Sequence, residues 1–184
     1  MKEIALHILD IAENCIAAGA NRVLISIFEE AGTSFRTIRI EDNGKGMSEE
    51  EMINASDPFY TSRATRRVGL GLPLYRQHAE MTGGQLKIAS EKGTGTVVTA
   101  IFDIRHPDCQ PLGDLEGIWM LLITSNPEIE WELLCEIGDE IFSISTSRIR
   151  KELDVDVIRG NELTAALKRM IRNNLDDLGI HLKT

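Results

Sequence analysis

Two pairs of strand-like runs, each joined by a short glycine-bearing turn and each preceded by a helical segment, constrain this chain more than any other feature. "NRVLISIF" (21–28) and "RTIRIED" (36–42) flank "EEAGTS", while "QLKIAS" (85–90) and "TVVTAIF" (96–102) flank "EKGTG". Their β-branched content and apolar–polar alternation predict strands. Ahead of the first pair, residues 3–18 put Ile4, Ile8, Ile11 and Cys15 on one stripe and Leu9, Ala12 and Ile16 on the adjoining one. A helix apolar over so much of its circumference must be largely buried. Ahead of the second pair, an irregular stretch at 56–68 leads into "GLGLPLYRQHAEMTGG", where Pro73 suits a first helical turn and Gly83-Gly84 a helix end. Helix, two strands, loop, helix, two strands predicts an α/β (α+β) fold, a two-layer sandwich of mixed β-sheet with helices on one face.

The proline- and glycine-bearing seam "HPDCQPLGD" (106–114) reads as a linker between a domain at 1–105 and a small C-terminal α+β unit at 115–184. That unit reads as a helix at 115–125, a hairpin turning at Gly138-Asp139, and two helices. The last, 161–178, carries Leu163, Leu167, Met170, Ile171 and Leu178 on its apolar side. A net charge of −9 argues against nucleic acid or an anionic membrane as partner, since phosphate binding needs a basic patch. Cys15, Cys109 and Cys135 lie far apart and form no C-x-x-C, so a reducing compartment is expected. The N-terminal "MKEIALHILDIAENC" has polar residues within its apolar run and fits neither a signal peptide nor a membrane span. A cytoplasmic location is the expectation.

Three local patterns carry chemistry. "EDNGKGM" (41–47) sets a carboxylate two residues ahead of the first of two glycines; by itself Asn43-Gly44 also reads as a plain type I′ hairpin turn. On the first helix Asp10 and Asn14, four apart, project from one face, with His7 continuing the stripe. His7 reads as structural. The Asn14 carbonyl oxygen suits Mg²⁺, which takes hard oxygen ligands and keeps waters and phosphates as the rest. Gly69 and Gly71 sit just before a helix N-terminus, which favours anions; with no Walker sequence and no third glycine, P-loop and Rossmann readings fail.

"LDIAENCIAAGA", "EDNGKGM", "DPFYTSR", "GLGLPL" and "GTGT", in this order, resemble the ATP-binding domain shared by histidine kinases, type II topoisomerases, heat-shock chaperones and mismatch-repair ATPases, called GHKL. The spacing of the later motifs looks most like the histidine-kinase catalytic domain, and the "ENxxxAGA" form looks closer to the mismatch-repair branch; as a whole the chain resembles a stand-alone histidine-kinase-like ATPase. The resemblance spans roughly residues 1–104. It implies that Asp42 accepts a hydrogen bond from the adenine amine and that Gly44 and Gly46 let backbone lie against the base; Met47, apolar, reads as lining the slot or as packing in the core. It implies Asn14 as the Mg²⁺ ligand and Asp10, where hydrolytic members carry glutamate, as the catalytic carboxylate. Gly69 and Gly71, with Leu70 and Leu72 beside them, match the phosphate-binding stretch, and Thr96 the last box. The loop 56–68 corresponds to the ATP lid, with Arg63 the choice for the terminal phosphates and Arg66 and Arg67 beside it.

The expected function is Mg-ATP binding with slow hydrolysis or phosphoryl transfer in a regulatory role, with ATP and Mg²⁺ as ligands. The alternative is a catalytically weak, ATP-gated interaction module whose C-terminal unit docks a protein partner. That unit, with its hairpin and amphipathic helix, suits either homodimerisation or docking of a partner or phosphoacceptor. His78 and His106 read as ordinary surface residues, so self-phosphorylation of the usual histidine-kinase kind is not expected.

Overall fold

The computed structural model describes residues 2–55 and 71–180. Helix α1 (Ile4–Ala17) buries Ile4, Ala5, His7, Ile8, Ile11, Ala12 and Cys15, the broad apolar face that its sequence predicts. Glu3 at its N-cap makes no side-chain cap. Instead the first two N–H groups, those of Ile4 and Ala5, donate to the carbonyls of Pro111 and Leu112 at 3.0 and 2.8 Å. Residues 106–114 therefore cross the start of α1 and satisfy donors that a helix N-terminus leaves orphaned; Leu112 is fully buried there.

Among the described residues, six strands form one sheet in the order β3-β4-β2-β1-β5-β6. β1 (Arg22–Glu29) and β2 (Phe35–Asp42) pair antiparallel, β2 pairs antiparallel with β4 (Gly95–Asp103), and β4 with β3 (Gln85–Glu91). β5 (Glu130–Ile137) runs parallel to β1, with Val23 opposite Trp131 and Ile27 opposite Cys135, and β6 (Glu140–Ser145) closes the far edge. The mixed sheet buries one face: Val23, Ile25, Ile27, Ile38, Ile40, Val98, Ala100, Phe102, Trp131 and Leu133 are all at or below 4% exposure. On that face α1 packs on β2 and α3 (Gly71–Met81) on β3 and β4, while α4 (Leu115–Ser125) packs on α1 and α6 (Asn161–Asp177) on α4. This is the α+β sandwich that the element order predicts.

Helix α2 (Glu49–Ala55) has no counterpart in the sequence reading. Its signal was present: the Glu51 carboxylate accepts from the Ser48 N–H at 2.8 Å, and the Ser48 hydroxyl from the Glu51 N–H at 3.3 Å. That is a reciprocal capping box, spelled S-x-x-E. In the C-terminal portion, Asp114 caps α4 by accepting from the Gly117 N–H at 2.8 Å, and Ser145 caps α5 (Thr146–Leu153). Arg172 on α6 donates to Glu116 on α4 at 2.8 Å, a pair whose carboxylate is buried.

Candidate nucleotide site

The end of β2 and the loop after it gather Asp42, Gly44, Gly46 and Met47. Asp42 is 8% exposed, and its Oδ1 accepts the Gly44 N–H at 2.7 Å. A buried carboxylate needs such a donor to offset its lost hydration. The loop is not a type I′ turn, because neither Asn43 nor Gly44 has positive φ; in this loop that conformation belongs to Gly46, at +62°. Asn43 instead anchors the loop to β1, its Oδ1 accepting from the N–H groups of Asn21 and Arg22 at 3.0 and 2.9 Å.

Both glycines are demanded by neighbouring chain. A Cβ on Gly44 would stand 2.8 Å from the Ala18 Cβ, and one on Gly46 would stand 1.9 Å from the Glu91 carbonyl oxygen. The loop is thus wedged between the end of α1 and the β3–β4 turn, and the Lys45 N–H bonds to the Ala18 carbonyl at 3.0 Å. Thr96, half-buried, lies directly opposite Asp42 in the β2–β4 register. Met47 is half-buried, and its N–H donates to the Ser90 hydroxyl at 2.8 Å. Ser90 is a residue of this cluster that sequence reasoning missed; a serine in a strand carries no local signal.

Helix α1 brings three more groups. Cys15 is buried against Asp42; burial first, and then that carboxylate, push its thiol well above the usual range. Asp10 is half-buried and Asn14 exposed. Asp10 reaches the first residue of α3, its Oδ2 3.2 Å from where a Cβ on Gly71 would lie, and Leu72 packs against the core beside it. The structure so assembles Asp42, Gly44, Gly46, Met47 and Thr96 at one end of β2 and β4, and Asp10 with Gly71 at the start of α3. Arg63, Gly69 and Leu70 lie outside the described residues.

Behind the site, α1 and α3 are joined by stacked rings. His7 stacks on Tyr75 with centroids 4.8 Å apart and on His78 at 5.7 Å. His78, expected at the surface, is 5% exposed; it lies on the α3 face turned toward α1 and Phe102, and its Nε2 accepts the Gln110 N–H at 3.1 Å. Burial and then the neighbouring His78 lower the His7 pKa to about 4, and burial lowers that of His78.

Among the described residues, no group of three or more His, Cys, Asp or Glu gathers to hold a metal ion, and no helix is long and apolar enough to cross a membrane. One side chain here has the chemistry that Mg²⁺ takes when a nucleotide carries it. Asn14 offers one hard oxygen, one helical turn from Asp10, and such an ion draws its other ligands from phosphates and water.

A model of the family described as "Histidine kinase-, DNA gyrase B-, and HSP90-like ATPase" matches residues 2–106. Sporulation kinase C of Bacillus subtilis (strain 168) is 30% identical over 57% of this chain and 24% of its own length. The cell-division control histidine kinase PdhS of Brucella abortus (strain S19) is 32% identical over 55% of this chain and 11% of its own length. The chain thus spans about a quarter or less of the curated relatives that it matches.

Proposed function

As a member of the family of histidine kinase-, DNA gyrase B- and HSP90-like ATPases, the chain carries a kinase-like ATP-binding domain, and we propose that it binds Mg-ATP and turns it over slowly in a regulatory role. In this reading Asp42 accepts the adenine amine, Thr96 and Met47 border the base, and Gly44 and Gly46 hold the loop in place. Asn14 supplies a side-chain oxygen to Mg²⁺, which when bound neutralises phosphate charge. Gly69, Leu70, Gly71 and Leu72 line the phosphates at the N-terminus of α3, and Arg63 reaches the terminal ones. The single observation that carries the reading is Asp42: a residue only 8% exposed, one carboxylate oxygen bonded to the Gly44 N–H, with Thr96 facing it across the sheet.

Asp10 is the candidate general base. Its placement at the first residue of α3 sets a carboxylate beside the backbone that would cradle phosphate, as in-line attack by water requires. Aspartate is shorter than glutamate by one C–C bond, about 1.5 Å, so its carboxylate stands back from the reacting phosphorus and turnover is slow.

A second reading, an ATP-gated interaction module, is favoured by one specific observation. The carbonyls of Pro111 and Leu112 cap α1, the helix that bears Asp10 and Asn14 and packs on α4, so a shift of that helix on nucleotide binding reaches the 106–114 segment and α4 directly. Incubating the whole chain with γ-labelled ATP, alone and with cell lysate, separates the readings. Released phosphate supports hydrolysis, and label on a second protein supports phosphoryl transfer. Tight Mg-ATP binding with neither supports the module, and no ATP binding overturns all three.

A further inference from the structure

We propose that Ser90 is a positioning residue that fixes Thr96 as a hydrogen-bond acceptor, so that the site selects a base edge bearing an exocyclic amine. Ser90, Thr96 and Asp42 form one row across β3, β4 and β2: Ser90 is opposite Thr96, and Thr96 is opposite Asp42. Directly opposed residues in antiparallel strands put their side chains on the same face. The Ser90 hydroxyl has three partners, the Met47 N–H at 2.8 Å, the Gly95 carbonyl at 2.9 Å and the Thr96 hydroxyl at 2.9 Å.

A hydroxyl holds one proton and two lone pairs, and that decides the direction of each bond. The Met47 N–H can only donate, so it takes one lone pair of Ser90. The Gly95 carbonyl can only accept, so it takes the Ser90 proton. What remains on Ser90 is a single lone pair, and Thr96 must donate to it. The opposite assignment, Ser90 donating to Thr96, makes two bonds instead of three and forfeits the one to Gly95, a buried residue; a forgone bond to a buried carbonyl costs free energy.

With its proton committed to Ser90, Thr96 can turn only lone pairs toward the pocket. Its neighbour Asp42 is an acceptor too. Two acceptors opposite one another on one face of the sheet welcome an N–H₂ group and repel a carbonyl oxygen, because the mismatched base would bury lone pairs against lone pairs. The inference deepens the ATP reading and rests on it: adenosine triphosphate is preferred over inosine triphosphate, which carries an oxygen where adenine carries the amine. Removing the Ser90 hydroxyl frees Thr96 to rotate and donate to that oxygen.

The test is calorimetry of ATP and ITP binding to the full chain, to Ser90→Ala, to Thr96→Val and to the double variant. The ATP-to-ITP affinity ratio should fall by about tenfold in Ser90→Ala, a single net hydrogen bond's worth. In the Thr96→Val background the same change should move the ratio less than about twofold, since coupled residues are not additive. A purely structural role for Ser90 would weaken both nucleotides alike and leave the ratio in place; that result, in a variant that melts cooperatively, overturns the proposal. An equal fall in both backgrounds overturns it as well. Should Ser90→Ala fail to fold, Ser90→Cys, whose thiol donates and accepts weakly, must lower the ratio, and an unchanged ratio there refutes the assignment. A parent chain that binds no ATP defeats the nucleotide reading itself, whereas ATP binding with an unmoved ratio defeats only the role of Ser90.

Discussion

Asp10 on α1 and Gly71 at the start of α3 approach so closely that a Cβ on Gly71 would lie 3.2 Å from the Asp10 Oδ2 and 3.3 Å from the Asp10 Cβ. The N-terminal end of a helix favours negative charge, so in the proposed function the carboxylate and an incoming phosphate would share the same backbone. Gly71→Ala should push the Asp10 carboxylate aside by a few tenths of an ångström. Misplacement of 1 Å costs about a hundredfold in rate, so steady-state ATP turnover should drop roughly threefold to tenfold with ATP affinity little changed. Asp10→Ala should abolish turnover while keeping affinity, and Asp10→Glu should raise it. Parent-like turnover in Asp10→Ala would leave Asp10 only the role of joining the two helices.

Asp42→Asn offers an amine to the adenine amine in place of an acceptor. Loss of a charge-assisted bond and burial of the mismatch should cost on the order of 2–4 kcal/mol, roughly thirty- to a thousand-fold in ATP affinity by calorimetry. Unchanged binding in a variant that melts cooperatively would return "EDNGKGM" to a packing role between Ala18 and Glu91.

Asn14→Ala removes one hard oxygen from an exposed position on α1 and should disturb the fold little. Its effect should fall on Mg-ATP and spare metal-free ATP, because only the former uses that oxygen. Titrations with and without excess EDTA check this; equal losses in the two would take Asn14 out of the metal shell.

The His7 stack predicts an acid-labile core. His7 faces Tyr75 and His78 from α3, with Gln110 from the 106–114 segment beside it. Its folded pKa is lowered from 6.5 to about 4 and that of His78 is lowered too, so the unfolded chain binds more protons. Stability is then fully present above the unfolded value and is lost as pH falls, for His7 from 6.5 toward 4, each unit costing up to about 1.4 kcal/mol, and His78 acts in the same direction. Protonation of His78 would also remove the acceptor of the Gln110 N–H. Urea midpoints at pH 7, 5.5 and 4.5 should decline, and His7→Phe should flatten the decline. A His7→Phe variant with the parent's full acid sensitivity would place the sensitive group elsewhere.

What the sequence determined by itself was local. Apolar period along 3–18, alternation in the strand pairs, and the glycine and proline marks around them set α1, β1 to β4, α3, α4 and α6 within a residue or two, because periodicity and turn chemistry act over a few neighbours. Five short motifs in order named the family. Tertiary structure decided the rest. β5 lies parallel to β1 across some hundred residues of intervening chain, and parallel pairing needs a long crossover that leaves no mark at either strand. The carbonyls that cap α1 come from Pro111 and Leu112, whose sequence announces only a bend. His78 looks like one polar residue on a mixed helix, and is buried because α3 turns it toward His7 and Phe102. Ser90 acquires three partners only when β3, β4 and the loop after β2 meet. Each of these is a relation between segments distant in the chain, and such relations exist only once the sheet has formed.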